Sequence, residues 1–108
     1  MKWIYSVEDL PYPDASVLGG KGLALFQMTA AGLPVPKPLC IGTSAYDLFV
    51  DHNHLREKIG LELYRKSIRD MRWEEIWDAS LRIKLLFMKA KIDGELEANI
   101  LDTIRDHL

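Results

Sequence analysis

The segment from Leu18 to Pro36 reads LGGKGLALFQMTAAGLPVP, and it carries signals for both ends of a helix. A glycine pair opens it, and from Lys21 onward the apolar residues recur with helical spacing. This pattern predicts a helix of about three turns. Gly32 stands where a left-handed residue commonly ends a helix, and Pro34 beyond it prevents continuation.

The run Gly19-Gly20-Lys21-Gly22 lies at the predicted start of this helix. Glycines let a backbone approach a bulky ligand closely. A helix N-terminus presents unpaired N–H groups and a partial charge of about +0.5, to which Lys21 adds a full charge. The four residues are therefore a candidate phosphate site. The spacing of a Walker A loop and that of a dinucleotide fingerprint are both missing, so a flexible glycine turn with a solvated lysine is the alternative.

Length and composition describe an ordinary globular chain of 108 residues, 48% hydrophobic and 28% charged. The net charge of -2 provides no basic field, so we expect no nucleic-acid partner. No apolar run approaches the length of about 18 residues that a membrane span needs, and the N-terminus lacks a signal-peptide pattern. We therefore expect a cytoplasmic protein that does not contact a membrane.

The single cysteine, Cys40, cannot form an internal disulfide, and its apolar neighbours predict a buried, inert thiol.

The remaining pattern predicts an α+β fold, mostly helical with a small N-terminal β component. Aromatic and β-branched residues predict short strands at 3–7 and 39–41. Spacings of three and four predict four further helices. The first would be capped by Thr43 or Ser44, and the second would run from Leu55 to Arg69. The third would begin after Asp70 and run to about Ile92, and the last would carry Leu96, Ile100, Ile104 and Leu108.

Side chains outside the glycine run receive structural roles. We expect Trp73 and Trp77 in the core rather than on a base-stacking platform, with Met28 and Met88 as core filler. Two of the three histidines are two residues apart, which is a poor spacing for a shared metal on one helix face. No metal ligand and no catalytic residue is therefore predicted, and solvent or capping roles are expected for His52, His54 and His107.

The glycine run and its surroundings together resemble one family pattern, of the form GGKGxxLxxMxxxGLPVPxGFxxxTxAY. The matching part extends from Leu18 to Tyr46 and is similar to the start of the nucleotide-binding domain of the pyruvate phosphate dikinase and phosphoenolpyruvate synthase family. From residue 47 onward the helical spacing of apolar residues is compatible with the family, but no further motif supports the resemblance. Three positions depart from the pattern, namely Pro38, Leu39 and Gly42.

The resemblance implies that residues 1–108 are the N-terminal part of an ATP-grasp-type domain, with a motif region at 1–46 and a helical region at 47–108. It implies binding of ATP with Mg²⁺, in which Lys21 contacts the nucleotide phosphates. Close backbone approach would come from Gly19, Gly20 and Gly22.

In the family, ATP phosphorylates a histidine carrier and then pyruvate. The implied partners are ATP and the remaining domains of a longer enzyme: the rest of the nucleotide-binding domain, a phosphohistidine domain and a pyruvate-binding barrel. We expect the isolated chain to be inactive, with the metal ligands outside it. Two alternatives stay open: a segment of a rifampin- or glucan-type dikinase, and a stand-alone helical interaction module that keeps the scaffold without catalysis.

Overall fold

The computed structural model describes residues 2–107, and within them it contains a two-stranded sheet and five helices. The predicted α+β class, mostly helical with a small β component, is confirmed. By chain contacts the described residues divide into two compact units, one made of 2–48 and 93–107 and the other of Phe49–Ile92. The elements in chain order are β1 (Ile4–Ser6), a 3-10 turn (Val7–Asp9), α1 (Ala15–Ala30), β2 (Leu39–Ile41), α2 (Thr43–His52), α3 (Leu55–Leu63), a second 3-10 turn (Ile68–Asp70), α4 (Trp73–Lys89) and α5 (Gly94–His107).

The sheet of the first unit pairs β1 with β2 in antiparallel register, Ile4 opposite Ile41. The Gly42 N–H donates to the Trp3 carbonyl at 2.7 Å and extends the pairing by one bond. A two-stranded sheet is marginal without packing on one face. Here α5, which the sequence placed with the helical region, contributes a buried side chain to the core beneath the sheet. The core consists of Trp3, Ile4, Ala45 and Leu96, with Leu39, Leu48 and Ile100 packed against it.

Helix α1 begins at Ala15, and the helix predicted from Lys21 corresponds to its second segment, after Gly19. Asp14 caps it, because its carboxylate accepts the Ser16 N–H at 2.9 Å and the Ser16 hydroxyl at 2.7 Å. These two hydrogen bonds also lower the pKa of Asp14. The apolar spacing begins later than this cap, and for that reason the first turn was missed. Gly19, with φ 74° and ψ 175°, interrupts the helix, so that a second helical segment starts at Gly20.

The end of α1 is the predicted one. Gly32 has a φ of 78°, in the left-handed region. Its N–H donates to the Thr29 carbonyl, and the Leu33 N–H donates to the Met28 carbonyl, both at 3.1 Å. These two bonds form a Schellman motif, which satisfies carbonyls that the helix end leaves free.

Two other predicted boundaries are wrong. The hydroxyls of Thr43 and Ser44 do not cap α2; they donate to the carbonyls of Ser16 and Lys2, at 2.6 and 3.0 Å. Helix α3 ends at Leu63 instead of Arg69. Every residue at 64–70 is exposed, so a longer helix would bury no further apolar side chain to stabilise it.

The second unit is a pair of helices, α3 and α4, with the end of α2. Leu55 is fully buried, and the rings of Phe49 and Phe87 stack with centroids 6.3 Å apart. The Glu62 carboxylate joins the two helices, because it accepts from Arg82 of α4 at 2.7 Å. The side chain of Asn53 bonds both the N–H and the carbonyl of Lys91, at 3.0 and 2.8 Å, and so holds the chain after α4.

The predicted core roles of Trp73, Trp77 and Met88 are wrong, because their exposed fractions are 72, 54 and 69%. Met28 on α1 is also partly exposed, at 37%. Helix α4 carries apolar residues on two faces and packs with the one that includes Ala79, which is 5% exposed. The spacing thus predicted the helix correctly but could not tell which apolar face packs inside. In α5, Leu96 is buried as expected, whereas Leu108 lies outside the described residues.

The left-handed Gly32 provides a test of this fold. We expect Gly32→Ala to lower the free energy of unfolding by about 1–2 kcal/mol, because an L side chain is strained in this conformation although space for it exists. Urea unfolding followed by circular dichroism measures the change. The matched control is Gly20→Ala, at a helical position with equal space, which should leave stability unchanged or raise it by about 0.5–1 kcal/mol. Equal destabilisation by both substitutions would contradict the assignment of the helix end.

Candidate functional site

The first turn of α1 is tied to strand β2 and to the start of helix α2. The Thr43 hydroxyl donates to the Ser16 carbonyl at 2.6 Å, and the Cys40 thiol donates weakly to the Leu18 carbonyl at 3.6 Å. In an uninterrupted helix, carbonyls at these positions accept from the N–H groups four residues later. Because the helix is interrupted at Gly19, the carbonyls of this turn accept hydrogen bonds from side chains instead. The interruption also places the glycine run at the beginning of a new helical segment.

The three glycines of the run have different surroundings. Gly19 has a positive φ, which supplies the change of direction. A methyl group on Gly22 would lie 2.8 Å from the Cys40 Sγ, so this glycine allows α1 to approach β2. A methyl group on Gly20 would meet nothing within 4 Å, so the backbone there is open to a ligand. The structure thus assigns conformation to Gly19 and packing to Gly22, and it leaves Gly20 accessible.

Lys21 stands in the first turn after the interruption. Its side chain is exposed, and among the described residues it has no hydrogen bond or ion pair. It borders a cleft of about 360 Å³ between α1 and β2. The walls of the cleft are mainly apolar, with Leu18, Leu25, Phe26, Leu39 and Ile41 among them. A free cation at the edge of an apolar cleft, next to a helix N-terminus, is an arrangement that can hold an anionic group.

Two of the three departures from the family pattern line the same cleft, and the strand still forms. Pro38 and Leu39 line it, and β2 still pairs with β1 from Leu39 to Ile41. Gly42 is buried against the Tyr5 ring, where a methyl group would lie 2.7 Å from a ring carbon. The Cys40 thiol is half-buried, and burial raises its pKa, so it is protonated near neutral pH. This agrees with the expected inert thiol.

None of the three histidines is among the residues that line this cleft. His52 ends α2, His54 precedes α3 with a φ of 53°, and His107 ends α5. No three histidine, cysteine, aspartate or glutamate side chains of residues 2–107 are grouped so that they could hold a metal ion. None of the helices in this part of the chain combines the length and apolar character needed to cross a bilayer.

The contacts of Thr43 with Ser16 and of Cys40 with Gly22 were missed by the sequence reasoning. They join positions 27 and 18 residues apart, and neither pair follows a local spacing rule. A glycine on the helix face that meets a neighbouring strand was the available signal, since close approach is a general reason for glycine.

A glycine turn, a free lysine and a helix N-terminus thus lie together beside an apolar cleft, an arrangement that could receive a phosphate group. The sequence pattern of the pyruvate phosphate dikinase AMP/ATP-binding domain matches residues 15–107. The chain belongs to this family.

Known relatives agree with the family. A probable phosphoenolpyruvate synthase of Methanocaldococcus jannaschii is 31% identical over 102 residues, which cover 94% of this chain and 8% of that protein. A probable phosphoenolpyruvate synthase of Methanothermobacter thermautotrophicus is 25% identical over 103 residues, or 95% of this chain and 15% of that protein. The phosphoenolpyruvate synthase of Pyrococcus furiosus is 42% identical over 52 residues, which cover 48% of this chain and 6% of that protein. The chain thus spans only a small part of the length of these relatives.

The packing role of Gly22 is testable through its contact with Cys40. We expect Gly22→Ala to destabilise the chain by roughly 1–3 kcal/mol, as overpacking usually does. Because the Cys40 Sγ is the atom in the way, Gly22→Ala combined with Cys40→Ala should cost less than the sum of the two single substitutions. Urea unfolding of the four proteins measures the coupling. Strictly additive costs would remove the close contact as the reason for Gly22.

Proposed function

We propose that this chain is the N-terminal part of the ATP-binding domain of a phosphoenolpyruvate synthase or pyruvate phosphate dikinase-like phosphotransferase, built as the first subdomain of an ATP-grasp-type domain. In the complete enzyme, ATP would phosphorylate a histidine carrier, and pyruvate would then receive the phosphoryl group. Family membership and the similarity to phosphoenolpyruvate synthases support this assignment.

The observation that carries the proposal is the position of Lys21. The ammonium group is free of other partners in the described chain, and it extends from the first helical turn after Gly19. Catalysis of phosphoryl transfer depends mainly on positioning and on stabilisation of charge on the phosphate oxygens. Lys21 would supply the positive charge, and the backbone at Gly20 would let the phosphates approach.

The chain provides one side of such a site. Mg²⁺ bound with ATP neutralises phosphate charge in this class of reaction. The described residues include no set of side chains that could hold it, so its ligands would come from further parts of a longer enzyme. We also propose a phosphohistidine domain and a pyruvate-binding barrel as partners, because the family resemblance implies them. We expect the chain on its own to bind Mg-ATP weakly and to catalyse no transfer.

Nuclear magnetic resonance with the ¹⁵N-labelled chain tests the site directly. On titration with Mg-ATP, we expect the amide signals of Gly20, Lys21 and Gly22 to shift with a dissociation constant of roughly 1 mM or weaker, because a few surface contacts supply only about 4 kcal/mol. Lys21→Met should weaken the binding by about tenfold or more, since it removes a charge-assisted contact. Inorganic triphosphate should shift the same amides if the phosphates are what is bound.

The matched control is Lys58→Met, which removes an exposed lysine of α3 and should leave the titration unchanged. Shifts distributed evenly over both units, or equal effects of the two substitutions, would contradict a phosphate site at Lys21. In a full-length relative of the chain, the same lysine-to-methionine change should abolish ATP-dependent autophosphorylation while circular dichroism stays unchanged. Normal labelling of that variant would refute the proposed role.

A further inference from the structure

Helix α4 exposes a continuous apolar stripe on the side opposite to its packed face. The stripe consists of Trp73, Trp77, Leu81, Leu85 and Met88, at spacings of four, four, four and three residues. Its members are between 43 and 72% exposed. The two tryptophan rings stack with centroids 5.7 Å apart and form one aromatic surface at the start of the helix. Such exposed patches commonly mark interaction sites, and aromatic residues are enriched where the binding energy concentrates.

The charges beside the stripe change sign halfway along α4. Glu74 and Asp78 lie in its first half, and Lys84 and Lys89 lie in its second half. None of the four has an ion-pair partner in the part of the chain that the structure describes. Interaction with the helix dipole can explain charges in the first and last turns only, and Asp78 and Lys84 lie further inside.

We propose that the α4 stripe is a self-association surface, on which α4 of a second copy of this chain packs in antiparallel orientation. In this orientation the acidic half of each helix faces the basic half of the other. A parallel pair would place like charges together. Leu81 stands at the midpoint of the helix, so a two-fold axis near it brings the two stripes into contact along their whole length. This inference does not depend on nucleotide binding.

The size of the surface sets the expected strength. A helix of 17 residues is about 25 Å long, and pairing along it would bury roughly 400–500 Å² per copy. Stable interfaces commonly bury about 800 Å² per partner, so we expect a weak dimer with a dissociation constant of roughly 10 μM to 1 mM.

Sedimentation velocity of the whole chain over a concentration series measures the equilibrium. Leu81→Ser should raise the dimer dissociation constant by about tenfold or more, because the symmetry repeats the loss in both copies. Leu61→Ser is the matched control: Leu61 is 71% exposed but lies on α3, and its replacement should change nothing. Tryptophan fluorescence provides a second readout, since Trp73 and Trp77 become shielded on dimerisation while Trp3 is already buried.

Charge exchange tests the orientation. We expect a variant with Glu74→Lys and Asp78→Lys, and a second with Lys84→Glu and Lys89→Glu, each to stay monomeric where the original chain dimerises. An equimolar mixture of the two should form a heterodimer. The original dimer should also weaken as salt is added, because its charge contacts are attractive.

Three results would overturn the proposal. A chain that remains monomeric up to roughly 1 mM does not use the stripe for self-association, and binding of an apolar dye by that monomer would assign the stripe to a different polypeptide. A dimer that is insensitive to Leu81→Ser uses another surface. A dimer that strengthens with salt is not held by opposite charges.

Discussion

Helix α1 and strand β2 approach each other so closely at Gly22 that a methyl group there would lie 2.8 Å from the Cys40 Sγ. Most of the candidate site depends on this approach. It places the helical segment after Gly19 against the strand, and it creates the apolar cleft that Lys21 borders. The bond from Thr43 to the Ser16 carbonyl holds the preceding turn in the same place. With a side chain at position 22, either the Cys40 thiol or the helix would have to shift.

In this geometry the four residues of the glycine run have different roles. A phosphate site needs a backbone that a ligand can reach, a local positive charge and a rigid base. In the proposed site, Gly20 and Lys21 would meet the first two needs, whereas Gly19 and Gly22 shape and pack the turn. The motif is thus partly structural. The chain covers 8 and 15% of two of its relatives, and under the proposed function the other side of the site would lie in further parts of a longer enzyme.

The second unit shows what happens when a helix is apolar on two faces. One face of α4 packs against α3, where Ala79 is buried and Arg82 forms an ion pair with Glu62. The tryptophans are left on the other face, where water contacts them at a cost in free energy of about 25 cal/mol for each Å² of apolar surface. A further contact would remove that cost, and the reversal of charge along α4 matches a second α4 in antiparallel orientation.

The sequence by itself determined the fold class, the two short strands, the helix end at Gly32 and the family. Each of these depends on local features: residue spacing, glycine conformation, the proline after the helix and the order of a long motif. Only the tertiary structure decided that Thr43 and Ser44 bind distant carbonyls and that Trp73 and Trp77 face outward. The reason is that periodicity records which residues share a face of a helix, but contacts between residues far apart in the chain decide which face is covered.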